Sequence, residues 1–595
     1  MRALPVARGG RTPPYCFYHI FVAGFYQTRT VHKLIAAIVK KALPQGAEAE
    51  VVVSEKPDFG HYSTSVALRL AKERGERPLS VAEKLKKEVE GAAPYGFFEK
   101  VAVAPPGFIN FWISASAVQG EFARACARRA GYGMRAIGKG KTVIVEYSQP
   151  NIAKKMHVGH LRTTVLGDAL ANVLSSLGYR VVRWNYLGDW GTQFGNLIAA
   201  YKLWGERSEV QRDPIATLLR LYVRFHDAMK HSPELEARGR EEFQKLESGD
   251  RENRKLWEWF RRESLKEFTR VYRLLGVQFD VEHGESFFEK DLKPLVAALR
   301  EKRIARESEG SLIVPLEQFH LPPALIEKSD GASLYLTRDI ANLSYRLKKY
   351  APAKILYVVG NEQSLHFSQL FAIAQLLGLG KGVELTHVKY GLVLAAEGKK
   401  FATREGRAVF LEEVAEKAIQ LARAVVKAKN PSLSGVAQGR VARAVGIGAL
   451  KYAILREHRH SDIVFDWGKM LDLKGDSAPY LQYAYARLQG ILRKAGTVGR
   501  GNVRLLASDR ELTLMRKIFE FPEVIEACAR AYLTNILTQY LYALAALVNQ
   551  FYETTPVLKD ENAPRRRARL MLLKMAGIVL KRGLELLGIS ALPRI

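Results

Sequence analysis

The chain has 595 residues, too many for one ordinary hydrophobic core, so about three domains are expected. Lysine and arginine number 91 against 61 acidic residues, and the formal net charge of +30 favours a polyanionic partner, nucleic acid ahead of a membrane. The three cysteines never form a CxxC pair, which argues against a disulfide framework and for a reducing, cytoplasmic compartment. No apolar run approaches the roughly 20 residues that span a bilayer.

The first 118 residues are predicted to form an extension and a small domain. Residues 1–30 contain the short aromatic stretch CFYHIFVAGFY, a poor signal peptide that we interpret as a loose, disordered extension or a misassigned start. Residues 31–118 are predicted to form a small α+β domain. Its helices are VHKLIAAIVKKAL, STSVALRLAKE and SVAEKLKKEVE, and its strands are AEVVVS and GFINFWIS.

Residues 135–410 are predicted to form an α/β domain with a doubly wound, Rossmann-type parallel sheet. The strand TVIVEYS, a helix ending near Leu177 and the strand YRVVRWNYLG make one βαβ unit. KILYVVG, SQLFAIAQLLGLG and ELTHVKYGLVL make a second. The charged helical stretch at about 195–322 is interpreted as an insertion between the two half-sheets.

Strand signals fade after residue 410, and long amphipathic helical patterns continue almost to the end of the chain. We therefore predict a helical connection over residues 411–455 and an all-helical domain over residues 456–595.

The stretch YSQPNIAKKMHVGHLRTT places His157 and His160 around Gly159, where a strand pattern gives way to a helix pattern. Ligands of doubly wound sheets bind at the carboxyl ends of the strands, and a helix N-terminus there favours phosphate oxygens. Gly159 has no Cβ, so a flat adenine could approach the backbone. The imidazoles could donate to phosphate oxygens as negative charge develops.

Two other interpretations fit the same spacing. A His-x-x-His pair places both rings on one helical face, as in many zinc sites, although no clear third ligand lies nearby in the sequence. Ordinary core histidines would show the same spacing. The histidine pair alone leaves a nucleotide site, a metal site and core packing open.

Neighbouring motifs separate these interpretations. PNIAKKMHVGHLRTTVLGDALA followed by NYLGDWGTQFG closely resembles the arginyl-tRNA synthetases, with HVGH standing for the class I "HIGH" element. GESFF, YLTRDIA and LHFSQ resemble the family's pocket segments, and GKKFATREGRAVFLEEV stands where the family has its "KMSKS" loop. PDFGHYSTSVALRLAK with GFINF resembles the N-terminal domain that contacts the tRNA elbow. GDSAPYLQYAYARLQGIL and LKRGLELLGIS resemble the helical anticodon-reading domain.

The resemblance implies a two-step reaction. The carboxylate of L-arginine attacks the α-phosphate of ATP to give arginyl-adenylate and pyrophosphate, and the arginyl group then moves to the 3′-terminal ribose of its tRNA. Mg²⁺ is expected with the nucleotide phosphates, and no metal ligands are expected in the protein itself. The family's usual state is a monomer in the cytoplasm.

The resemblance also assigns roles to individual residues. The expected catalytic residues are His157, His160, Lys154, Lys400 and Arg404. The expected ATP-binding residues are His157, Gly159, His160, Lys400 and Thr403. The expected arginine-binding residues are Gln149, Pro150, Asn151, His160, Glu285, Tyr335, Asp339 and Gln369. The expected tRNA-binding residues are Tyr480, Tyr483, Tyr485 and Arg487, of which about half are expected to be core instead.

Two assignments have specific alternatives. Thr403 occupies the place of the second lysine of the "KMSKS" pattern. The resemblance implies that a lysine just before the HIGH element takes over its role. Lys154 matches that lysine, and the adjacent Lys155 differs from the residue more usual in the family. A pair of adjacent lysines is more often solvated surface. Asp339 could instead cap a helix that begins near Ile340.

Rival functions follow from the same motifs. A small-molecule nucleotidyltransferase would not need the helical C-terminal third or the net charge. A synthetase-derived binding protein would be favoured only if HVGH or the pocket carboxylates were lost. A cysteine- or glutamate-type class I synthetase is disfavoured by YLTRD and by the lack of CxxC.

Overall fold

The computed structural model describes residues 30–54, 56–329, 335–394 and 409–595. The chain divides into two compact units. The first comprises Met1–Tyr132, Ile491–Glu523 and Ala546–Val579, and the second comprises Gly133–Gly490, Val524–Ala545 and Leu580–Ile595. Lys400, Thr403, Arg404 and residues 1–29 lie outside the described residues.

The N-terminal part of the first unit is the predicted small α+β fold. Its elements are α1 (Val31–Lys41), β1 (Val52–Val53), β2 (Tyr62–Thr64), α2 (Val66–Arg74), α3 (Pro78–Ala92), β3 (Phe98–Ala104), β4 (Phe108–Ile113) and α4 (Ala115–Arg128). The strands form one antiparallel sheet in the order β1-β2-β4-β3. Strand β3 was missed by the sequence analysis, although Val101 and Phe111 pair across it and are buried.

The core of the second unit is the predicted parallel sheet. Its strands are β5 (Thr142–Glu146), β6 (Arg180–Leu187), β7 (Val281–Gly284), β11 (Lys354–Tyr357) and β12 (Glu384–His387), in the order β12-β11-β5-β6-β7. Every neighbouring pair is parallel. The chain runs outward from β5 through β6 to β7 on one side and from β11 to β12 on the other. The topological switch point therefore lies between β5 and β11.

The predicted insertion needs one correction. The helices α5 (Val158–Ser176), α6 (Thr192–Trp204), α7 (Arg207–Arg212), α8 (Pro214–Met229), α9 (Pro233–Glu247) and α10 (Arg251–Leu275) precede β7. After it come α11 (Glu289–Glu301) and a small antiparallel sheet of β8 (Arg306–Ser308), β9 (Ser311–Val314) and β10 (Ala324–Glu327). The stretch at 195–322 is thus not purely helical, because β7 belongs to the main sheet. Its four residues, VEHG, are too few and too polar to show a strand pattern.

The rest of the chain continues the alternation and then becomes helical, with the later helices shared between the two units. After the small sheet come α12 (Tyr335–Tyr350), α13 (Ser364–Leu376) and β13 (Val393–Leu394). The later elements are α14 (Leu411–Lys429), α15 (Gly435–Leu455), β14 (Ile463–Val464), α16 (Trp467–Met470), α17 (Ala478–Ala495), α18 (Asp509–Ala531), α19 (Asn535–Thr554) and α20 (Ala563–Leu586). Across the ranges that the structure describes, no helix has both the length and the apolarity to cross a membrane.

Candidate active site at the carboxyl edge of the parallel sheet

A cleft of about 310 Å³ lies at the switch point of the sheet. The chain segments after β5 and β11 meet there with the first turn of α5 and the residues before β13. The described lining residues are Ser148, Gln149, His157, Gly159, His160, Arg162, Thr163, Gly360, Glu362, Tyr390, Gly391, Leu392 and Val393. The cleft therefore occupies the position at which doubly wound folds bind their ligands.

The two histidines cap helix α5 reciprocally. His157 is the N-cap residue, and its Nδ1 accepts from the Gly159 N–H at 3.1 Å. His160 Nδ1 accepts from the His157 N–H at 3.1 Å. Since Nδ1 of each ring is an acceptor, the proton of each neutral ring lies on Nε2. The first turn of α5 thus offers two side-chain donors together with its free backbone N–H groups.

Both rings are neutral near pH 7. Burial lowers the pKa of His160 to about 3, with a further contribution from His157 beside it. Partial desolvation also lowers the pKa of His157, although part of this residue is exposed in the cleft. The ring centroids are 4.0 Å apart, so protonating both would place two positive charges almost in contact. Such rings can donate hydrogen bonds but do not act as fixed positive charges.

The zinc interpretation finds no support in the described geometry. Nδ1 of both histidines is already used by the helix cap. Within the described ranges, no group of three or more His, Cys, Asp or Glu side chains is arranged to hold a metal ion. His157 is exposed in the cleft, which favours a ligand site over core packing for this residue.

Gly159 also has a local structural role. A Cβ at this position would lie 2.7 Å from His157 Cε1, so the missing side chain gives the His157 ring the space to fold back over the helix start. An alanine here would push the ring away and break the cap.

The loop between β5 and α5 has a strained backbone that several buried groups hold in place. Ser148, Gln149 and Ala153 have φ of 79°, 54° and 61°, in the left-handed region that costs energy for side chains other than glycine. Gln149 N–H donates to Asn185 Oδ1, and Ser148 Oγ lies 2.8 Å from Tyr272 OH. These contacts fix the position of the backbone after β5 at the edge of the cleft.

Asn151 lies in the same loop, is exposed, and pairs with Gly188 in an isolated parallel bridge. The Ile152 N–H donates to Gly188 O, and the Gly188 N–H donates to Pro150 O. A Cβ at Gly188 would overlap Asn151 Oδ1, so the glycine of the NYLGDWG motif leaves room for this amide. Pro150 and Asn151 are therefore held by Gly188, the residue after β6.

A second polar cluster lies around α12 and contains two of the expected arginine-binding carboxylates. Glu285 is 8% exposed, and among the residues that the structure describes its Oε2 has no hydrogen-bond partner. Burial raises the pKa of Glu285 to about 8; nearby Arg338 opposes the shift, and Asp339 adds to it. An unpaired acceptor at this depth indicates a place for a cationic ligand.

Asp339 lies inside α12, which spans Tyr335–Tyr350, so the alternative that it caps a helix starting near Ile340 is wrong. Its Oδ2 accepts from His366 Nε2 at 2.6 Å. Tyr335, one helical turn earlier, is 59% exposed. Gln369 Nε2 donates to the Pro322 and Pro323 carbonyls at 3.1 and 3.3 Å.

Sequence reasoning missed a buried ion pair beside this cluster. Arg346 on α12 donates to Glu146 at the end of β5, and the two side chains are 0% and 3% exposed. Gln149 Nε2 donates to the other oxygen of Glu146. The guanidinium of Arg346 also lies 4.3 Å from the centroid of the Trp184 ring. The one sequence signal was a charged residue ending the apolar strand TVIVE.

The side chains of the two lysines before the histidines contact different aromatic rings. Lys154 Nζ lies 5.0 Å from the centroid of the Tyr222 ring, and Lys155 Nζ lies 5.3 Å from that of Phe410. Phe410 follows the segment that contains Lys400, and it pairs with His157 in an isolated β-bridge. Lys155 thus lies beside Phe410, and Lys154 lies beside helix α8.

The expected tRNA-binding residues on α17 divide by exposure. Tyr485 is 7% exposed, so its ring has little surface to offer a base and belongs to the core. Tyr483 is 39% exposed, and the Arg487 guanidinium lies 5.1 Å from the centroid of its ring. Tyr480 is partly buried against Tyr542, with centroids 5.4 Å apart.

Comparison with protein families matches three consecutive models to the chain. "tRNA synthetases class I (R), catalytic domain" matches residues 125–467. "DALR anticodon binding domain" matches residues 481–595, and "Arginyl tRNA synthetase N terminal domain" matches residues 29–113.

Individual proteins are similar over almost the whole chain. The arginine–tRNA ligase of Clostridioides difficile is 41% identical over 550 residues, 92% of this chain and 96% of that protein. The arginine–tRNA ligase of Halothermothrix orenii is 40% identical over 543 residues, 91% and 94% of the two chains. The crystal structure of arginyl-tRNA synthetase from Plasmodium falciparum superposes with a TM-score of 0.81 at 26% identity, covering 95% of this chain and 99% of that one. The Thermus thermophilus structure gives 0.81 at 27% identity, with 95% and 100% covered.

Proposed function

The chain belongs to the arginyl-tRNA synthetase family, and from that premise we propose which of its residues perform each step of the reaction. It is an arginine–tRNA ligase that activates L-arginine with ATP and charges tRNA. No covalent enzyme intermediate is needed, so catalysis consists of positioning two substrates and stabilising charge during an in-line displacement.

ATP is proposed to bind in the cleft at the start of α5, with His157 and His160 beside its phosphates and Gly159 in the turn between them. The observation that carries this proposal is the pair of Nε2 donors fixed by the reciprocal helix cap. Neutral donors fixed before the reaction stabilise the developing charge without reorganising. Lys400, Thr403 and Arg404 are proposed to complete this site from the loop before Phe410.

Mg²⁺ is proposed to accompany the nucleotide. Glu362 is the one carboxylate among the described lining residues of the cleft. Mg²⁺ would therefore take its oxygen ligands mainly from the phosphates and water, and it would offset phosphate charge there.

L-arginine is proposed to lie between the loop after β5 and helix α12. Gln149, Pro150 and Asn151 would hold its amino-acid end, and His160 would lie where its carboxylate meets the α-phosphate. Asp339 and Glu285 would pair with the guanidinium, with Tyr335 and Gln369 beside it. The unpaired Glu285 Oε2 supports this orientation, because a guanidinium would supply the donor that it lacks.

The assignment of arginine is tested by offering the purified protein bulk tRNA and each of the twenty amino acids in turn. We expect only arginine to be attached. Attachment of cysteine or glutamate would identify another class I synthetase, and nucleotidyl transfer without tRNA charging would support a small-molecule enzyme.

The protonation of Glu285 predicts a pH dependence of arginine binding. With a pKa of about 8, the carboxyl is mostly protonated at pH 7, and an arriving guanidinium would favour the charged form. Binding should therefore release a proton, and the Michaelis constant for arginine should fall as the pH rises from 6.5 to 8 and level off above that. The slope should vanish in Glu285→Gln, whereas an identical slope in that variant would mean that another group titrates.

If Lys154 takes over the role of the missing lysine of the "KMSKS" pattern, substitutions of Lys154 and Lys155 should have unequal effects. Lys154→Ala should lower the rate of arginine activation by roughly tenfold, because it removes a cation that would stabilise the leaving pyrophosphate. Lys155→Ala is the matched control, since Lys155 also lies over a single aromatic ring. Pyrophosphate exchange rates of the two variants decide the matter, and equal effects would remove the case for Lys154.

The tRNA is proposed to contact Tyr480, Tyr483 and Arg487 on α17, since splayed anticodon bases stack on exposed aromatic and guanidinium surfaces. With a net charge of +30, binding should weaken steeply with salt, with a log–log slope of roughly −0.7 to −0.9 for each phosphate contact. Titrating tRNA at several salt concentrations measures this slope, and a nearly flat response would contradict the expected electrostatic contribution.

The domain limits at 31–118, 135–410, 411–455 and 456–595, a monomeric state and a cytoplasmic location complete the proposal. The domain limits rest on the changes of element type along the chain. Sedimentation of the purified chain across a hundredfold concentration range would test the monomer.

A further inference from the structure

His366 on α13 contacts Asp339, a residue proposed to bind the substrate. His366 itself is not among the residues expected to bind the substrate. Its Nε2 lies 2.6 Å from Asp339 Oδ2 on α12. The two side chains are 22% and 20% exposed. An ionised carboxylate only accepts hydrogen bonds, so the ring nitrogen is the donor. The bond joins two helices whose pocket residues lie 27 positions apart in the chain.

The contact restricts the Asp339 carboxylate at one oxygen and leaves the other open. Among the residues that the structure describes, none donates to Oδ1 of Asp339. A carboxylate held at one oxygen cannot rotate freely about its last bond, so the plane of the group is set before substrate arrives. A planar guanidinium needs this plane, because its two parallel N–H donors must meet two oxygens in a matching orientation.

In these surroundings, the Asp339 carboxylate would hold its orientation less firmly without His366. Burial is the main cause of the raised pKa of both Glu285 and Glu146, and the charge of Asp339 adds to it, so the three carboxyl groups lie in one region. The Asp339 side chain is 20% exposed, so an unrestrained carboxylate would be free to turn toward solvent. A hydrogen bond from outside the cluster opposes that rotation.

We propose that His366 is a positioning residue for arginine selection, because it fixes the plane in which the Asp339 carboxylate meets the substrate guanidinium. This inference rests on the proposed role of Asp339. His366 touches no substrate in this scheme and acts only through Asp339. It should favour arginine over lysine, because an ammonium is a compact charge that accepts any orientation of a carboxylate.

The first experiment measures pyrophosphate exchange with tRNA present for His366→Ala and His366→Gln. His366→Ala should raise the Michaelis constant for arginine about tenfold, the scale of one hydrogen bond to a charged group, with little change for ATP. The ratio of kcat/KM for arginine over lysine should fall. His366→Gln should recover most of both, because its amide can donate from nearly the same position. Ser368→Ala, an exposed change in the same helix, is the control.

A double-mutant cycle distinguishes the positioning role of His366 from the proposed role of Asp339 in binding arginine. In an Asp339→Asn background, His366→Ala should change the arginine constant by less than about twofold, since the residue that it positions is already altered. Additive effects, or failure of His366→Gln to recover selectivity, would overturn the positioning role while leaving Asp339 as a substrate ligand. An unchanged arginine constant in Asp339→Asn alone would instead overturn the pocket assignment itself.

Discussion

Replacing His160 with alanine should lower the rate of arginine activation by about 10²-fold or more while the protein remains folded. The loss of one preorganised donor to developing charge typically has this size. His160 supplies that donor from Nε2, because its Nδ1 accepts from the His157 N–H. The low pKa of His160, about 3, means that the ring acts by a hydrogen bond and not by its charge.

Alanine also removes half of the reciprocal cap of α5, so a second variant is needed to separate catalysis from folding. His160→Asn keeps an oxygen near the position of Nδ1 that can still accept from His157, but it has no donor near the position of Nε2. Its pyrophosphate exchange should fall as far as that of His160→Ala, with a melting temperature closer to the parent. His231→Ala, on an exposed surface before α9, is the control. Near-parental exchange in His160→Asn would reduce His160 to a capping residue, and unfolding by a chelator would revive the zinc interpretation.

The sequence was sufficient wherever the signal was local. The strands β5 and β11 contain runs of buried apolar residues, β6 is partly buried, and their alternation with helices predicted the parallel sheet. His157 and His160 are three residues apart, so one helical turn brings them together. Their position after a buried strand placed them at the ligand-binding edge without any knowledge of distant contacts.

The sequence was insufficient wherever a residue's role depends on a distant partner. Strand β7 is short and polar, and only pairing with β6 makes it part of the sheet. Arg346 and Glu146 are 200 residues apart, and each alone would look like a solvated charge. His366 stood inside the LHFSQ motif, but its partner Asp339 could not be found by periodicity. The physical reason is the same in each case, because burial and pairing arise only when separate elements pack.

Asp339→Asn should reduce arginine activation by about 2–5 kcal/mol, with the loss appearing mainly in the Michaelis constant for arginine. The change is nearly isosteric, so the loss reports charge and hydrogen bonding. An amide presents one acceptor where the guanidinium needs two, and its N–H₂ group would face another donor.

We expect the same carboxylates to reject lysine. Asp339 and Glu285 form a cluster in which Glu285 Oε2 is buried without a partner in the described part of the chain, and a lysine ammonium would not satisfy both groups. A site built to hydrogen-bond one substrate can reject an analogue that leaves its polar groups unpaired by about 10⁴-fold. Asp339→Asn should therefore also narrow the preference for arginine over lysine.

The structure distinguishes a loss of arginine binding in Asp339→Asn from a loss of folding stability. Asp339 lies within α12 and accepts from His366, so its loss should cost little in folding beyond that single hydrogen bond, on the order of 1 kcal/mol. The ATP constant should change little, because the nucleotide is assigned to the first turn of α5 and not to α12. Arginine and ATP constants measured beside the melting temperature test all three statements. A lowered melting temperature with an unchanged arginine constant would make Asp339 a structural residue and leave Glu285 as the carboxylate that meets the guanidinium.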